Sequence, residues 1–239
     1  PYVQLGVMVL FVLIVYFALI STKKAEQNKV WVGLSKETAH QLGTPISSLM
    51  AWMDFLDSSG VDPSLLSDMN KDVNRLSVIA ERFSKIGSKP EMELIYVNEV
   101  LENATEYMRR RVSDKVLITT HLPSDAEGAM VCLSLFEWVI ENLCKNAVDA
   151  MNGEGRIDVY MTSEKQQIYI DIKDTGKGIA RKNFKTVFNP GYTTKKRGWG
   201  LGLTLAKRII EDYHAGRIYV KDSEVGKGTT FRIELKRVV

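Results

Sequence analysis

Asp174-Thr-Gly-Lys-Gly-Ile179 and Gly198-Trp-Gly-Leu-Gly-Leu203 stand a short distance apart, with Glu141-Asn-Leu-Cys-Lys-Asn146-Ala upstream of both. Read together, these three segments decide the C-terminal fold. Asp174 follows an alternating run, Gln167 to Lys173, and enters a tight Gly-x-Gly turn. A carboxylate there accepts a hydrogen bond from an amino group such as adenine N6, while Gly176 and Gly178 let the backbone approach the base. Asn142 and Asn146, four residues apart, share one helix face. An amide oxygen is a neutral ligand, suited to Mg²⁺ beside phosphates that already carry negative charge. Gly198, Gly200 and Gly202 sit where a loop becomes a helix, so freed N–H groups and the helix dipole can face phosphate. Alone, Asp174 would read as an ordinary Asp-Gly turn and the asparagines as capping or solvated residues. The spacing is not the Rossmann fingerprint, since no βαβ unit precedes it, nor a P-loop, since no Gly-Lys-Ser/Thr follows.

The elements around these segments alternate between strand and helix. Leu94 to Val97 and Val116 to Leu122 read as strands flanking a helix from Asn98 to Arg111. Leu135 to Met151 is a helix, and Arg156 to Thr162 with Gln167 to Lys173 form a hairpin-like pair. A helix from Leu201 to Tyr213 and strands Gly216 to Val220 and Thr229 to Leu235 complete the pattern. Such an order predicts an α+β sandwich, with helices on one face of a mixed sheet, over residues 90–239.

Upstream the rhythm is helical. Ala39, Leu42, Ile46, Leu49, Met53 and Leu56 step by three and four. Asp57-Ser-Ser-Gly-Val-Asp-Pro63 supplies a stop, and Leu66, Met69, Val73, Leu76, Ala80 and Phe83 form a second seam. Two helices with one apolar stripe each cannot bury those stripes alone. The expectation over residues 23–89 is an α-helical hairpin that dimerises as a four-helix bundle, the alternative being a monomeric hairpin covered by another domain. Within the first seam His40 points outward and Thr44 shares its face. Pro45 is a helix-interior proline, which costs roughly 3 kcal/mol in a helix. A lone helical His is most often a surface or packed residue; beside this local distortion it reads as functional.

Val3 to Ile20 carries no charge and only Gln4 as a strongly polar residue, close to the length that spans a bilayer. A buried helix would show a polar stripe, and a signal peptide would export the nucleotide motifs. Residues 1–22 are therefore expected to be a transmembrane helix, with Lys23, Lys24 and Lys29 placing the C-terminal side in the cytoplasm. About 20 residues between Ile20 and His40 give roughly 30 Å of helix, too short for an intervening relay domain. The chain begins with Pro1 and is expected to be preceded by a further portion outside or in the membrane. A net charge of +3 over 239 residues is too small and too dispersed to argue for nucleic acid. Cys132 and Cys144 lie in apolar or helical context, which favours reduced, packed thiols over a disulfide.

The set of motifs resembles the ATP-binding domain shared by sensor histidine kinases, DNA gyrase, the Hsp90 chaperone and MutL. Asn142–Asn146 resemble the N box, Asp174–Ile179 the G1 box, Phe184–Phe188 the F box and Gly198–Leu203 the G2 box. Gly226-Lys-Gly-Thr-Thr-Phe231 resembles the closing glycine motif, with Thr229 in the pocket. The resemblance implies ATP and Mg²⁺ as cofactors, adenine on Asp174, the metal on Asn146, and a nucleotide site that includes Gly176, Gly178, Gly200, Leu201 and Gly202. It also implies a lid from Tyr192 to Arg197 whose Lys195, Lys196 and Arg197 contact phosphate, a solvated basic loop being the alternative.

His40-Gln-Leu-Gly-Thr44-Pro45 resembles the H box of sensor histidine kinases, and the hairpin their dimerisation and phosphotransfer domain. The implied activity is autophosphorylation of His40, then transfer to an aspartate on a response-regulator receiver domain. In the family the residue at the Thr44 position often helps to place water for dephosphorylating that regulator. The implied location is the cell inner membrane, kinase domains cytoplasmic, as a homodimer. The family usually has an acid after the His; this chain has Gln41, which can hold an imidazole N–H but cannot stabilise imidazolium by charge. Gln41 motivates the rival reading of a kinase-weak phosphatase or nucleotide-sensing module. A gyrase- or Hsp90-like ATPase is disfavoured, since those relatives have a water-activating glutamate where this chain has Asn142.

Overall fold

The computed structural model describes residues 2–88, 90–195 and 200–238, with side chains placed for all of these except 20, 21, 23–31 and 34. The chain forms two compact units, Pro1–Lys89 and Pro90–Val239.

In the first unit, α1 (Tyr2–Ser58) is a single helix that carries the apolar segment directly into the seam. Tyr2–Leu19 has a mean hydropathy of 2.4 with none of it buried, long and apolar enough to cross a membrane. The turn to α2 (Pro63–Ile86) uses Gly60 at φ 77° and Asp62, whose carboxylate accepts from Ser64 N–H at 2.8 Å. This cap, with Pro63 opening the helix, is worth about 1 kcal/mol. Ile46 and Met53 of α1 form a small core with Val73 and Ala80 of α2, and Leu42 and Leu49 pack against it. At the far end a Cβ on Gly87 would meet the Lys36 backbone nitrogen at 2.8 Å, so a side chain there would push α2 away from α1.

The second seam divides. Leu66, Val73 and Ala80 are buried, whereas Met69 is 37% and Leu76 40% exposed. Trp52 and Phe55 of α1 are 67% and 69% exposed. A two-helix hairpin covers one stripe per helix, and these residues form a second apolar stripe that the hairpin leaves in solvent.

In the second unit the elements are β1 (Glu93–Tyr96), α3 (Val97–Arg109), β2 (Val116–His121), β3 (Gly128–Val131), α4 (Leu133–Ala150), β4 (Gly155–Glu164), β5 (Gln167–Asp174), α5 (Gly202–Arg208), β6 (Arg217–Glu224) and β7 (Gly228–Val238). The sheet runs β1-β3-β7-β5-β4-β2, with β6 also on β7. Among the described residues only β2 and β4 pair in parallel; the other pairs are antiparallel. Alternation sets the core: Ile157, Val159 and Met161, Ile168, Ile170 and Ile172, and Phe231, Ile233 and Leu235 are all buried. They share the core with Leu101, Leu135, Phe136, Leu143 and Ile209 of the helical layer. Both cysteines are buried and free, and burial pushes the Cys144 thiol up to about 12.

Two features depart from the expected pattern. β3 has no counterpart in the sequence reading, because Gly128-Ala-Met-Val131 is too short to show alternation; it exists through its pairing with β1 and β7. The helix expected from Leu201 to Tyr213 is α-helical only to Arg208, and Ile209–Tyr213 is a π turn. His214 explains the widening: its N–H and its Nδ1 both bond the Ile209 carbonyl, at 3.1 and 2.7 Å. Its Nε2 accepts from Cys132 N–H at 2.9 Å, fastening the π turn to the start of α4.

Candidate nucleotide site and phosphoacceptor histidine

The end of β5 delivers Asp174 almost fully buried, opposite Thr229 on β7. Its Oδ1 accepts from Gly176 N–H at 2.8 Å. Burial raises the Asp174 carboxyl above the usual range, opposed by the N–H groups of Gly176 and Thr229. Gly178 is required by space and by φ, Gly176 by space alone. A Cβ on Gly178, at φ 71°, would lie 2.1 Å from the Glu224 carbonyl oxygen, and one on Gly176 would lie 2.8 Å from the Ala150 carbonyl carbon. Thr229, also buried, pairs its hydroxyl with Ser223 Oγ at 3.0 Å, and the same Ser223 Oγ accepts from Ile179 N–H at 2.7 Å.

α4 carries both asparagines and ends at Ala150, on which Gly176 of the Asp174 turn packs. Asn142 lies against Gly202 at the start of α5, where a Cβ would meet Asn142 Oδ1 at 2.5 Å. Asn146 Oδ1 accepts from the Lys195 ammonium at 3.0 Å. The Nδ2 amides of both asparagines are buried without a partner. A buried donor left without an acceptor costs about 1–3 kcal/mol, and an acceptor-rich phosphate is the kind of ligand that removes the deficit. On that ground the residues fit a nucleotide.

The loop between the two glycine motifs is anchored at both ends. Gly191 N–H bonds the Gly200 carbonyl at 3.2 Å, and Gly200 itself has φ 64° with a Cβ position 2.5 Å from Gly191 carbonyl carbon. Thr204 Oγ1 bonds the Phe188 carbonyl at 3.0 Å, and Phe188 meets Phe231 edge to face at 6.1 Å. Farther along, Lys177 Nζ donates to Thr194 Oγ1 at 2.8 Å.

In the first unit His40, Gln41 and Thr44 are all exposed on α1. Pro45 has no N–H, so the Gln41 carbonyl loses its helical donor while α1 continues through. Around it Thr44, Ser47 and Ser48 bond back to the carbonyls of His40, Gly43 and Thr44 at 3.5, 2.9 and 3.3 Å. Gln41 does not lean on His40 through its amide nitrogen: Nε2 donates to Glu37 Oε1 at 2.7 Å, leaving Oε1 as the free acceptor of that side chain.

Of the residues singled out in the sequence, Asn142, Asn146, Asp174, Gly176, Gly178, Lys195, Gly200, Leu201, Gly202 and Thr229 belong to the second unit, and His40, Gln41 and Thr44 to the first. Gly198, Lys196 and Arg197 lie outside the described residues. Sequence reasoning missed Asp149, which shares the Lys195 ammonium with Asn146, and Ala150, against which Gly176 packs. The i, i+3 spacing of Asn146 and Asp149 was the available signal for the first.

Residues 132–239 match the family described as histidine kinase-, DNA gyrase B- and HSP90-like ATPase. Sporulation kinase E of Bacillus subtilis is 29% identical over 220 residues, covering 89% of this chain and 29% of the relative. The sensor histidine kinase ZraS of Salmonella typhimurium is 26% identical over 226 residues, covering 91% of this chain and 48% of the relative. The chain thus spans half or less of the length of these curated relatives. Among solved structures, full-length ShkA in complex with AMPPNP superposes with a TM-score of 0.66 at 18% identity, covering 87% of this chain and 46% of that one. The histidine kinase ThkA in complex with the response regulator protein TrrA gives 0.59 at 19% identity, covering 93% of this chain and 66% of that one.

Proposed function

Because residues 132–239 form a domain of the histidine kinase-, DNA gyrase B- and HSP90-like ATPase family, we propose that the chain is a membrane-anchored sensor histidine kinase that phosphorylates His40 from Mg-ATP. The observation that supports this reading is that one unit holds buried Asp174, the unpartnered Asn142 and Asn146 amides and the Gly202 helix start packed on Asn142, in a chain that also exposes His40 beside Thr44-Pro45.

Asp174 accepts from the adenine amino group, while Gly176 and Gly178 leave the space that the base needs. Asn146 Oδ1 would hold Mg²⁺ together with phosphate oxygens, and the ion would supply neutralisation of the phosphate charge. Gly200, Leu201 and Gly202 offer N–H groups, and Lys195 its ammonium, to the phosphate chain. Asn142 has no carboxylate with which to activate water, which favours transfer to a protein group over hydrolysis. His40 attacks with the lone pair of a neutral imidazole nitrogen: the N–P bond forms as the bond between the γ-phosphorus and the bridging oxygen breaks, and ADP leaves. The N–H on the other imidazole nitrogen needs an acceptor, a role Gln41 Oε1 could fill by hydrogen bonding, and its proton passes to solvent once the ring is phosphorylated. The phosphoryl group then passes to a response-regulator aspartate, and Thr44 serves the later hydrolysis of that aspartyl phosphate by orienting water.

Dimerisation would cover the second apolar stripe of Trp52, Phe55, Met69 and Leu76, giving a four-helix bundle. The Tyr2–Leu19 segment would anchor the chain, with the remainder of the first unit and the whole of the second on the cytoplasmic side.

The test is incubation with [γ-³²P]ATP and Mg²⁺, with acid and base treatment of the product. Acid-labile, base-stable label in the wild type and none in His40→Ala is the expected result. A wild type that binds nucleotide but takes no label under any condition would overturn kinase activity in favour of a phosphatase or nucleotide-sensing role.

A further inference from the structure

Among the described residues of the 192–197 segment, Lys195 reaches α4. Its ammonium lies 3.0 Å from Asn146 Oδ1 and 2.5 Å from Asp149 Oδ2. Asn146 and Asp149 stand three apart on α4, so one cation bridges an amide oxygen and a carboxylate oxygen on the same helix face. Two hard oxygens converging on a positive charge make the kind of ligand pair that an alkaline-earth ion takes. The occupant here is supplied by the protein itself. Lys195 Nζ reaches it from a segment held by its own N–H on Thr193 Oγ1 at 3.1 Å and by the Lys177–Thr194 contact.

We propose that Asp149 is part of the cation site of the nucleotide pocket, and that the Lys195 ammonium is the stand-in cation that fills it until a divalent ion arrives with nucleotide. The inference rests on the nucleotide reading above. Its physical basis is threefold. Asn146, the residue that the same reading assigns to Mg²⁺, already has its oxygen engaged by a cation. Lys195 and Asp149 are each 40% exposed, so their ion pair is screened by water and weak enough to exchange. Among the described residues no group of three His, Cys, Asp or Glu side chains could hold a metal. Two protein oxygens fall well short of the six that Mg²⁺ requires, so the ion is retained only when phosphate oxygens complete its shell. Cation exchange and nucleotide entry are therefore one event: the incoming ion displaces the Lys195 ammonium from Asn146 and Asp149.

The test uses Mn²⁺ as the probe ion, ADP as the nucleotide and the whole chain in detergent micelles. ADP affinity is measured by calorimetry with Mn²⁺ and in EDTA, and bound Mn²⁺ is followed by its electron paramagnetic resonance signal. The ratio of the two affinities isolates the contribution of the cation from that of any phosphate contact. Lys195→Met removes the competing ammonium and is expected to raise the ratio by about fivefold or more. Asp149→Asn removes the anionic ligand and is expected to lower it by a similar factor, with Asp149→Glu retaining most of the wild-type value. Mn²⁺ without ADP is expected to stay free in all forms. An unchanged ratio in Lys195→Met, or an unchanged or higher ratio in Asp149→Asn, overturns the proposal and leaves Asp149 as a clasp for the lid alone. A wild type that binds no ADP in either condition overturns the nucleotide reading, a result distinct from these.

Discussion

The Ala150 carbonyl accepts a hydrogen bond of 3.0 Å from Lys177 N–H, and Gly176 packs so closely on the same residue that a methyl group there would meet the Ala150 carbonyl carbon at 2.8 Å. The last residue of the asparagine-bearing helix is thus locked to the turn that follows Asp174. The adenine and metal ends assigned to the pocket are set by one backbone contact, and a shift in either moves the other.

Gly176→Ala is therefore expected to cost about 1–3 kcal/mol through overpacking alone, since α4 or the turn must retreat. Gly176 is not held at positive φ, so the loss comes from contact with Ala150. Ala150→Gly in the same chain should return part of the lost stability, because the Cβ of Ala150 lies 2.9 Å from the same position. Thermal unfolding with and without ADP checks both. A Gly176→Ala chain as stable and as tight for ADP as the wild type would show that the contact yields freely.

Gln41 is held by Glu37, which turns its amide nitrogen toward the N-terminal side of α1. In Gln41→Glu the two carboxylates stand at i, i+4 and repel by about 0.2–0.5 kcal/mol, which turns the new acid away from Glu37. A carboxylate beside His40 stabilises developing imidazolium where an amide cannot. The rate of [γ-³²P]ATP labelling of His40 is expected to rise in Gln41→Glu. Equal or slower labelling would show that the amide already meets the need.

His214 sets a pH limit on the second unit. Burial lowers its pKa, opposed by the bond from Nδ1 to the Ile209 carbonyl, and Nε2 must stay unprotonated to accept the Cys132 N–H. Below the ordinary value near 6.5 the unfolded chain binds a proton that the folded chain refuses, so ∂ΔG/∂pH is positive there. Stability from this group is complete above about pH 6.5 and declines as pH falls toward the lowered folded pKa. His214→Asn, which keeps a polar side chain but does not titrate, is expected to start less stable and to lose less between pH 7.5 and pH 5.5, about the range over which an ordinary His titrates. Parallel melting curves for the two proteins would reject His214 as the titrating group.

Much of the candidate site was legible before folding was considered. Asp174, Asn142, Asn146 and the glycines announce themselves because tight turns and close backbone approach admit few residue types, and their spacing is local. The alternation of Ile168, Ile170 and Ile172 likewise reports which face is buried, because side chains of a strand point to opposite sides. The split of the α2 seam was not legible, since Met69 and Leu76 have the same chemistry as the buried Leu66 and Val73. Only the direction of the partner helix separates them.

Sequence by itself determined the order of helix and strand, the seam that faces His40 outward, and the residue types gathered for a nucleotide. Tertiary structure alone decided that β3 forms, that His214 widens the turn after α5, and that Lys195 reaches from the lid to Asn146 and Asp149. These three depend on contacts between residues far apart in the chain. Local propensity and periodicity carry no signal for such contacts, because the groups meet only after the sheet and helices have brought their backbones together.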